Sequence, residues 1–292
     1  MPTSVTVRVP ATSANLGPGF DSLGLALEIT QDVTVALGER TEAKDGLIRL
    51  VLDGARSAYR LAKVAVPELS VAGHPAIPIG RGLGASAAAR AAGIVAANEL
   101  MGRPLDDAQM LVLGAALEGH ADNMAPALFG GLRVVVRDGD SFRHVASPLA
   151  PGLKVALFIP EFEMPTGESR KLLPETLSKD DAVHNIGRAA LLVAALASGN
   201  WDALAVATQD RLHQPARARI FPAMPAIFAA ALAAGALCAY LSGGGSTIAA
   251  FAIDGEDRIA RAMLDAGAAR GYPGRTAVTR PREVGAEIVA QA

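Results

Sequence analysis

The sequence predicts an α+β fold made of two units. Segments with strand-like and helix-like patterns are mixed along the 292 residues, without the regular alternation that would indicate a parallel sheet. Hydrophobic residues make up 51% of the chain and charged residues 19%, so the chain can bury a sizeable core. Proline and glycine at residues 148–152 place the division near residue 150, with predicted units at residues 1–150 and 151–292.

The first unit begins with strands and continues with helices. Apolar residues that alternate with polar ones, or that form short runs, predict strands at residues 5–9, 23–29, 33–37 and 132–136. Alanine-rich and apolar runs predict two helices buried against the sheet, at residues 86–101 and 106–118. Residues 10–21 form a predicted loop between the first two strands, and residues 46–75 carry no clear pattern.

The second unit again mixes the two kinds of element. Apolar runs predict strands at residues 153–160, 237–241, 248–253 and 276–279. Helices are predicted at residues 181–198 and 256–269, with more helix up to about residue 235. The most membrane-like stretch, residues 226–241, is interrupted by Gly235 and is shorter than the roughly 20 residues of a membrane span. We interpret it as a buried helix followed by a buried strand.

The charge balance and the single cysteine narrow the class of function. With 27 basic and 29 acidic residues, the chain has no excess positive charge that would attract nucleic acid or an anionic membrane surface. A small-molecule ligand is therefore expected. Cys238 has no second cysteine to pair with, and the first nine residues alternate like a strand rather than an export signal, so we expect a cytoplasmic protein.

A glycine-rich segment directly precedes the alanine-rich helix. Gly80, Gly82 and Gly84 allow the backbone to approach a ligand and turn its N–H groups inward, and the helix would point its positive dipole end at the same place. This predicts a phosphate site. It is not a Walker loop, because Gly84 is followed by Ala85 and Ser86 instead of Lys-Ser/Thr, so backbone donors and a metal must neutralise the charge. The alternative is an ordinary turn before a helix.

An acidic residue, Glu118, lies at the C-terminal end of a predicted apolar helix. A carboxylate there opposes the helix dipole, and a bound cation would remove that penalty. Mg²⁺ takes few protein oxygens, so Glu118 and the Ser86 hydroxyl could bind it together with phosphate oxygens. The alternative is a solvated polar helix end.

Two turns and two arginines complete the candidates. The loop of residues 10–21 could line a pocket with Asn15 and Asp21, or could simply hydrogen-bond its own backbone. Residues 242–247 form either a ligand loop or a plain hairpin turn.

Arg170 and Arg217 could bind a carboxylate through paired hydrogen bonds, although most arginines are surface charges. The remaining histidines, His213 among them, show no zinc-ligand spacing.

Four segments occur in a characteristic order: PATSANLGPGFDSLGLAL at residues 10–27, IPIGRGLGASAAA at 77–89, EGHADNMAPALFGGL at 118–132 and LSGGGST at 241–247. The first resembles the N-terminal signature of homoserine kinases. The second resembles the phosphate loop of the wider GHMP kinase family, and the other two resemble further motifs of that family. The resemblance extends from about Val5 to Phe251.

This resemblance implies a fold and a reaction. The fold would be an N-terminal domain like domain 2 of ribosomal protein S5, packed against a ferredoxin-like C-terminal domain with the active site between them. The reaction would use ATP and Mg²⁺ to phosphorylate the side-chain hydroxyl of L-homoserine to O-phospho-L-homoserine, in threonine biosynthesis.

The resemblance also assigns residues by position. The ATP phosphate loop would comprise Pro78, Ile79, Gly80, Arg81, Gly82, Leu83, Gly84, Ala85, Ser86, Ala87 and Ala88. Mg²⁺ would bind Ser86 and Glu118. Homoserine would contact Asn15, Asp21, His120, Asp122, Asn123, Thr166, Arg170, Arg217 and Gly244. The residues implied in catalysis are Glu118, Ser86, Asp122 and Asn15, with Asp122 binding the substrate's ammonium or hydroxyl group and a role as base as its alternative.

Two departures from the family pattern concern ATP. Ala85 stands where the family usually has serine, which removes a hydroxyl near the phosphates and would lower ATP affinity. Residues 242–247 lack the proline that usually stiffens this turn. Alternatives to a homoserine kinase are a GHMP kinase for another small alcohol and a non-catalytic ligand-binding homologue. A homodimer is one alternative for the oligomeric state.

Overall fold

The computed structural model describes residues 1–38, 46–73, 76–164 and 166–292, with Thr166 described by its backbone alone. The strands in these residues are β1 Ser4–Ala14, β2 Leu23–Leu37, β3 Leu69–Gly73, β4 Leu132–Asp138, β5 Ser141–Ser147, β6 Lys154–Pro160, β7 Cys238–Leu241, β8 Ile248–Ala252, β9 Gly274–Thr279 and β10 Glu287–Gln291. The helices are α1 Gly46–Leu61, α2 Ala85–Leu100, α3 Asp107–Glu118, α4 Met124–Phe129, α5 Thr166–Lys171, α6 Lys179–Ser198, α7 Leu204–Ala207, α8 Gln214–Arg217, α9 Met224–Ala233 and α10 Glu256–Ala268.

The first sheet is antiparallel, with strand order β10-β1-β2-β4-β5 and β3 paired to β2. The prediction of separate strands at residues 23–29 and 33–37 is wrong, because β2 is one strand. β1 pairs with it on both sides of a register shift between Pro10 and Ala11, so the polar residues between the two predicted strands are held in the ladder. The predicted helices at residues 86–101 and 106–118 correspond to α2 and α3.

The description of residues 46–75 as patternless is also wrong. They contain α1 and β3, and α1 packs an apolar face on α2 while its other face meets water. The buried residues of α1 are Leu47, Val51, Leu52, Gly54, Ala55, Ala58 and Tyr59. This helix forms one wall of the candidate site described below.

The second sheet is antiparallel with order β7-β8-β6-β9, and α9 and α10 pack on it. Its strands and the helices α6 and α10 lie where the sequence predicts them. The stretch of residues 226–241 contains most of α9 and then β7. The strand is largely buried as expected, but only Ile227 and Ala231 of this part of the helix are buried, so the expectation of a buried helix is wrong. Among the described helices, none is long and apolar enough to cross a membrane.

The last strand returns to the first sheet. β10 pairs with β1, although it belongs by sequence to the predicted unit of residues 151–292. The gap between β5 and β6 contains residue 150, and a domain division there stays a prediction. Neither β5 nor β10 is recognised in the sequence, because both are short strands at the edges of the sheet whose residues are largely exposed or half-buried.

Candidate active site

The predicted substrate residues meet around one cavity of about 240 Å³. It lies where the loop before β2, the N-terminal end of α2, the segment after α3 and the β7–β8 turn come together. The predicted residues that line it are Asn15, Asp21, His120, Asp122, Asn123, Arg170, Arg217 and Gly244. The side chain of Thr166 lies outside the described residues.

The glycine-rich loop forms one end of this cavity. Its lining residues are Pro78, Ile79, Gly80, Gly82, Leu83, Gly84, Ala85 and Ser86. Ala87 and Ala88 are fully buried in the core instead. The Arg81 side chain turns away from the cavity, where its guanidinium donates to the Glu161 carbonyl oxygen and pairs with Glu163 at 3.3 Å.

The loop carbonyls all point into the scaffold. The Gly80 carbonyl oxygen accepts from the Met164 N–H at 3.2 Å, and the Arg81 carbonyl oxygen accepts from the Thr247 N–H at 3.0 Å. The Gly82 carbonyl oxygen accepts from the Ser242 hydroxyl at 2.6 Å, and the Leu83 carbonyl oxygen accepts from the Thr12 N–H at 3.1 Å. The N–H groups of residues 80–84 donate no hydrogen bond within the described part of the chain. The loop is therefore held with its acceptors occupied and its donors free, which suits an anion.

Two contacts explain why this loop needs glycine. Gly82 has a φ of +74°, and a Cβ there would lie 2.1 Å from the Ser242 carbonyl oxygen. Gly84 has a φ of +67°, and a Cβ there would lie 1.9 Å from the Thr12 Oγ1. Because Gly84 precedes α2 and provides no side-chain cap, the first N–H groups of α2 also stay free beside the cavity. The β7–β8 turn thus fixes the loop from the second sheet.

Glu118 already has a cation beside it, supplied by the chain. Arg90 Nη1 donates to Oε1 of Glu118, while the Ser86 hydroxyl donates to Oε2 at 2.7 Å. Sequence reasoning missed Arg90, although its position four residues after Ser86 puts both on one helix face. No group of three or more His, Cys, Asp or Glu side chains that could hold a metal occurs among the residues that the structure describes.

Two arginines occupy the other end of the cavity. Arg170 pairs with both oxygens of Asp21 at 2.7 Å, and its guanidinium lies 5.0 Å from the centre of the Phe20 ring. Arg217 lies 5.6 Å from the same ring and is 1% exposed. Its Nη1 donates to the Gly243 carbonyl oxygen at 3.1 Å, and its Nε has no partner in the described residues. Burial lowers the pKa of Arg217 to about 10, and the charge of Arg170 is the second cause of this shift. A buried guanidinium with an unused donor fits an anionic ligand group.

His213 holds Arg217 in place. Its Nε2 donates to the Gly17 carbonyl oxygen at 2.7 Å, so its Nδ1 must accept the hydrogen bond from Arg217 at 2.8 Å, which requires the neutral ring. Burial lowers the pKa of His213 to about 4. The sequence interpretation treated this histidine as incidental. Its spacing of four residues before Arg217 is the signal that could have identified it.

The segment after α3 supplies a second polar group. The His120 Nδ1 donates to Oδ1 of Asp122 at 2.6 Å, and the Asn123 N–H donates to the same oxygen at 2.9 Å. Burial lowers the pKa of His120, but the hydrogen bond and charge of Asp122 outweigh it, so the net shift is upward from 6.5. The Thr12 hydroxyl donates to Oδ1 of Asn123 at 2.8 Å, which orients that amide.

Asn15 connects the two sheets. Its Nδ2 donates to the Gly243 carbonyl oxygen at 2.9 Å, and its Oδ1 accepts from the Asp21 N–H at 3.0 Å. Asn15 and Asp21 both have positive φ, of 68° and 55°. Asparagine and aspartate tolerate this conformation better than most residues, and such strain concentrates at functional sites.

Two family models match the chain. The GHMP kinases N terminal domain matches residues 49–131, and the GHMP kinases C terminal domain matches residues 192–269. The chain is 40% identical to the homoserine kinase of Moorella thermoacetica, over 97% of this chain and 99% of that protein. It is also 40% identical to the homoserine kinase of a Synechococcus strain, over 97% of each.

Solved structures agree with these matches. The homoserine kinase from Cytophaga hutchinsonii superposes with a TM-score of 0.88 at 29% identity, covering 99% of this chain and 98% of that one. The mevalonate diphosphate decarboxylase from Enterococcus faecalis has a TM-score of 0.70 at 14% identity over the whole of both chains, and shares the fold.

Proposed function

The chain belongs to the homoserine kinases of the GHMP kinase family, and from that premise we propose that it transfers the γ-phosphoryl group of ATP to the side-chain hydroxyl of L-homoserine. The products are ADP and O-phospho-L-homoserine, and the step belongs to threonine biosynthesis. The supporting observation is that one cavity joins a loop with free N–H groups to a pair of arginines. The loop suits a polyphosphate, and the arginines suit the carboxylate of an amino acid.

Phosphoryl transfer asks the protein mainly to position its reactants and to neutralise charge. The loop of residues 80–84 and the N-terminal end of α2 would hold the phosphates. Arg170 and Arg217 would hold the substrate carboxylate at the other end of the cavity. We assign Asp122 to the ammonium or hydroxyl group of the substrate, because His120 and Asn123 fix its carboxylate.

Ser86 and Glu118 fit a magnesium ion. The Ser86 Oγ and the Glu118 Oε2 lie 2.7 Å apart beside the phosphate loop, and both are hard oxygen donors. Mg²⁺ prefers such sites with one or two protein ligands and takes the remainder from water and phosphates, in keeping with this small donor set. When bound, the ion would neutralise charge on the phosphates.

The adenine group would contact α1, in the segment that the sequence left unassigned. Leu47 and Leu50 in the first turns of α1 line the cavity beside Pro78 and Ile79. Ile79 is 49% exposed, which leaves an apolar surface next to the loop for an aromatic base to cover.

An ADP-release assay across homoserine, threonine, shikimate and mevalonate tests this proposal. We expect turnover that requires Mg²⁺ and is at least tenfold faster with homoserine than with the other alcohols at equal concentration. Turnover of another alcohol with none of homoserine would refute the proposed substrate. A lack of turnover with every alcohol, alongside ATP binding, would support the non-catalytic alternative.

Glu118→Gln tests the metal assignment separately. The amide keeps the size of the side chain but removes the charge, so we expect turnover to be lost while calorimetry still detects homoserine binding. The matched control is Glu99→Gln, which changes a glutamate on the neighbouring helix α2 whose partner is Arg103. Activity like that of the unmodified protein in Glu118→Gln would refute the assignment.

We also place the protein in the cytoplasm, which the cysteine content supports because the lone Cys238 is buried and unpaired. A homodimer stays a prediction, which the molar mass in solution would test.

A further inference from the structure

Arg90 lies directly behind the Ser86–Glu118 pair. On α2 it follows Ser86 by four residues, so it occupies the same helix face one turn further on. Its Nη1 donates to Oε1 of Glu118, and its Nε donates to Oδ2 of Asp53 on α1 at 3.4 Å. With 17% of its side chain exposed, Arg90 connects α1, α2 and α3.

The backbone of Arg90 is held rigidly. α1 and α2 pack so closely that both need glycine at their contact. A Cβ at Gly54 would lie 2.5 Å from the Arg90 carbonyl oxygen, and a Cβ at Gly93 would lie 2.0 Å from the Val51 carbonyl oxygen. The guanidinium therefore reaches Glu118 from a fixed base on the packed helix pair.

Glu118 needs such a partner. Only 5% of its side chain is exposed, and it is the last residue of α3, where the helix dipole disfavours a negative charge. A buried charge without a partner costs several kcal/mol. Arg90 provides the compensating charge at Oε1 and so leaves Oε2 directed at Ser86 and the cavity.

We propose that Arg90 is a positioning residue that orients the Glu118 carboxylate for a divalent cation. The inference rests on the proposed function, because the metal assignment to Ser86 and Glu118 belongs to it. Arg90 does not itself line the cavity, whereas both of these residues do. It therefore acts through Glu118 and not on the phosphates.

The opposite relation, in which Arg90 competes with the metal, is disfavoured by the geometry. A competitor would occupy the space between Ser86 and Oε2, but Arg90 contacts the other carboxylate oxygen. The two relations predict opposite results. Removal of a positioning residue weakens metal binding, and removal of a competitor strengthens it.

The test compares Arg90→Met, Arg90→Lys and the unmodified protein for Mn²⁺ binding in the presence of ADP, with free Mn²⁺ measured by electron paramagnetic resonance. Methionine keeps most of the aliphatic stem but has no charge. Loss of an outer-shell partner of a metal ligand typically weakens binding roughly 10- to 100-fold, and we expect this for Arg90→Met. Arg90→Lys keeps the charge without the forked geometry, so its affinity should be intermediate. The Mg²⁺ concentration for half-maximal turnover should shift in parallel, with the KM for homoserine unchanged.

Arg103→Met is the matched control. Arg103 lies just after the end of α2, pairs with Glu99 on that helix and is 70% exposed. It should leave the Mn²⁺ affinity unchanged. Unchanged or tighter Mn²⁺ binding in Arg90→Met would overturn the proposal. Should that variant fail to fold, Arg90→Lys decides, and an affinity equal to that of the unmodified protein would overturn it. If the unmodified protein does not phosphorylate homoserine, the proposed function fails, while the Mn²⁺ comparison still judges Arg90.

Discussion

Gly82→Ala should separate the phosphate loop from the turn that holds it. Gly82 has a φ of +74°, and in this region an L-residue costs about 1–2 kcal/mol. The added Cβ would lie 2.1 Å from the backbone carbonyl oxygen of Ser242, and Cβ contacts under 3.0 Å do not occur. Loop and turn must therefore move apart by 0.9 Å, the difference between these two distances. A displacement of about 1 Å at a reacting site can cost roughly 100-fold in rate.

The expected result is a fall of about 100-fold in kcat/KM for ATP, caused by the displaced loop. Gly139→Ala is the matched control, because Gly139 has a similar φ of +61° but no atom within 4 Å of the added Cβ. It should lose stability through the same backbone strain and keep its activity. Steady-state kinetics and thermal unfolding of both variants provide the measurements. If Gly82→Ala has the same kcat/KM as Gly139→Ala, the loop does not depend on the turn and the reasoning is refuted.

Three further predictions concern the two ends of the cavity. Arg217→Met should lower kcat/KM for homoserine by about 30-fold or more, because loss of a buried charge partner costs at least about 2 kcal/mol. The KM for ATP should stay constant in this variant. Equal effects on homoserine and ATP would contradict the prediction. Ser242→Ala should lower the free energy of unfolding by about 1–3 kcal/mol, because it removes the hydrogen bonds to the half-buried Gly82 carbonyl and to the buried Ser13 hydroxyl, and urea titration would detect it. The pKa of His213, about 4 in the folded state against 6.5, means that the unfolded chain binds more protons between these pH values. The free energy of unfolding should therefore fall by up to about 3 kcal/mol as pH drops from 6.5 to 4, and His213→Gln should lose this part of the pH dependence.

Local patterns predicted much of the fold because their signals are strong over a few residues. The alanine-rich run that forms α2 and the apolar runs that form β6 and β8 are continuous in sequence and buried in the structure. α1 also carries an apolar face, but the loop-like residues around it obscured the helical spacing of its apolar residues. β10 could not be predicted from its own residues, because an edge strand depends on the partner to which it pairs.

The candidate site was predicted where its residues stand in motifs. Asn15, Asp21 and Asp122 were found in this way and line the cavity. Arg90 and Phe20 were missed, since nothing in the neighbouring sequence shows that one meets Glu118 and the other lies against two arginines. Their roles depend on segments that are distant along the chain.

The sequence by itself determined that a glycine-rich loop precedes a helix and that Glu118 ends another helix. It also determined that the segments containing the loop and Glu118 stand in the motif order of a known family. Only the tertiary structure decided which way the loop faces. Its carbonyls are bound by donors from β1, from the segment before α5 and from the β7–β8 turn, which are 71 to 166 residues away along the chain from the carbonyls they bind. Hydrogen-bond direction is set by such distant partners, and no local pattern encodes it. The same holds for the charge beside Glu118, which Arg90 supplies because α1 and α2 pack at glycine.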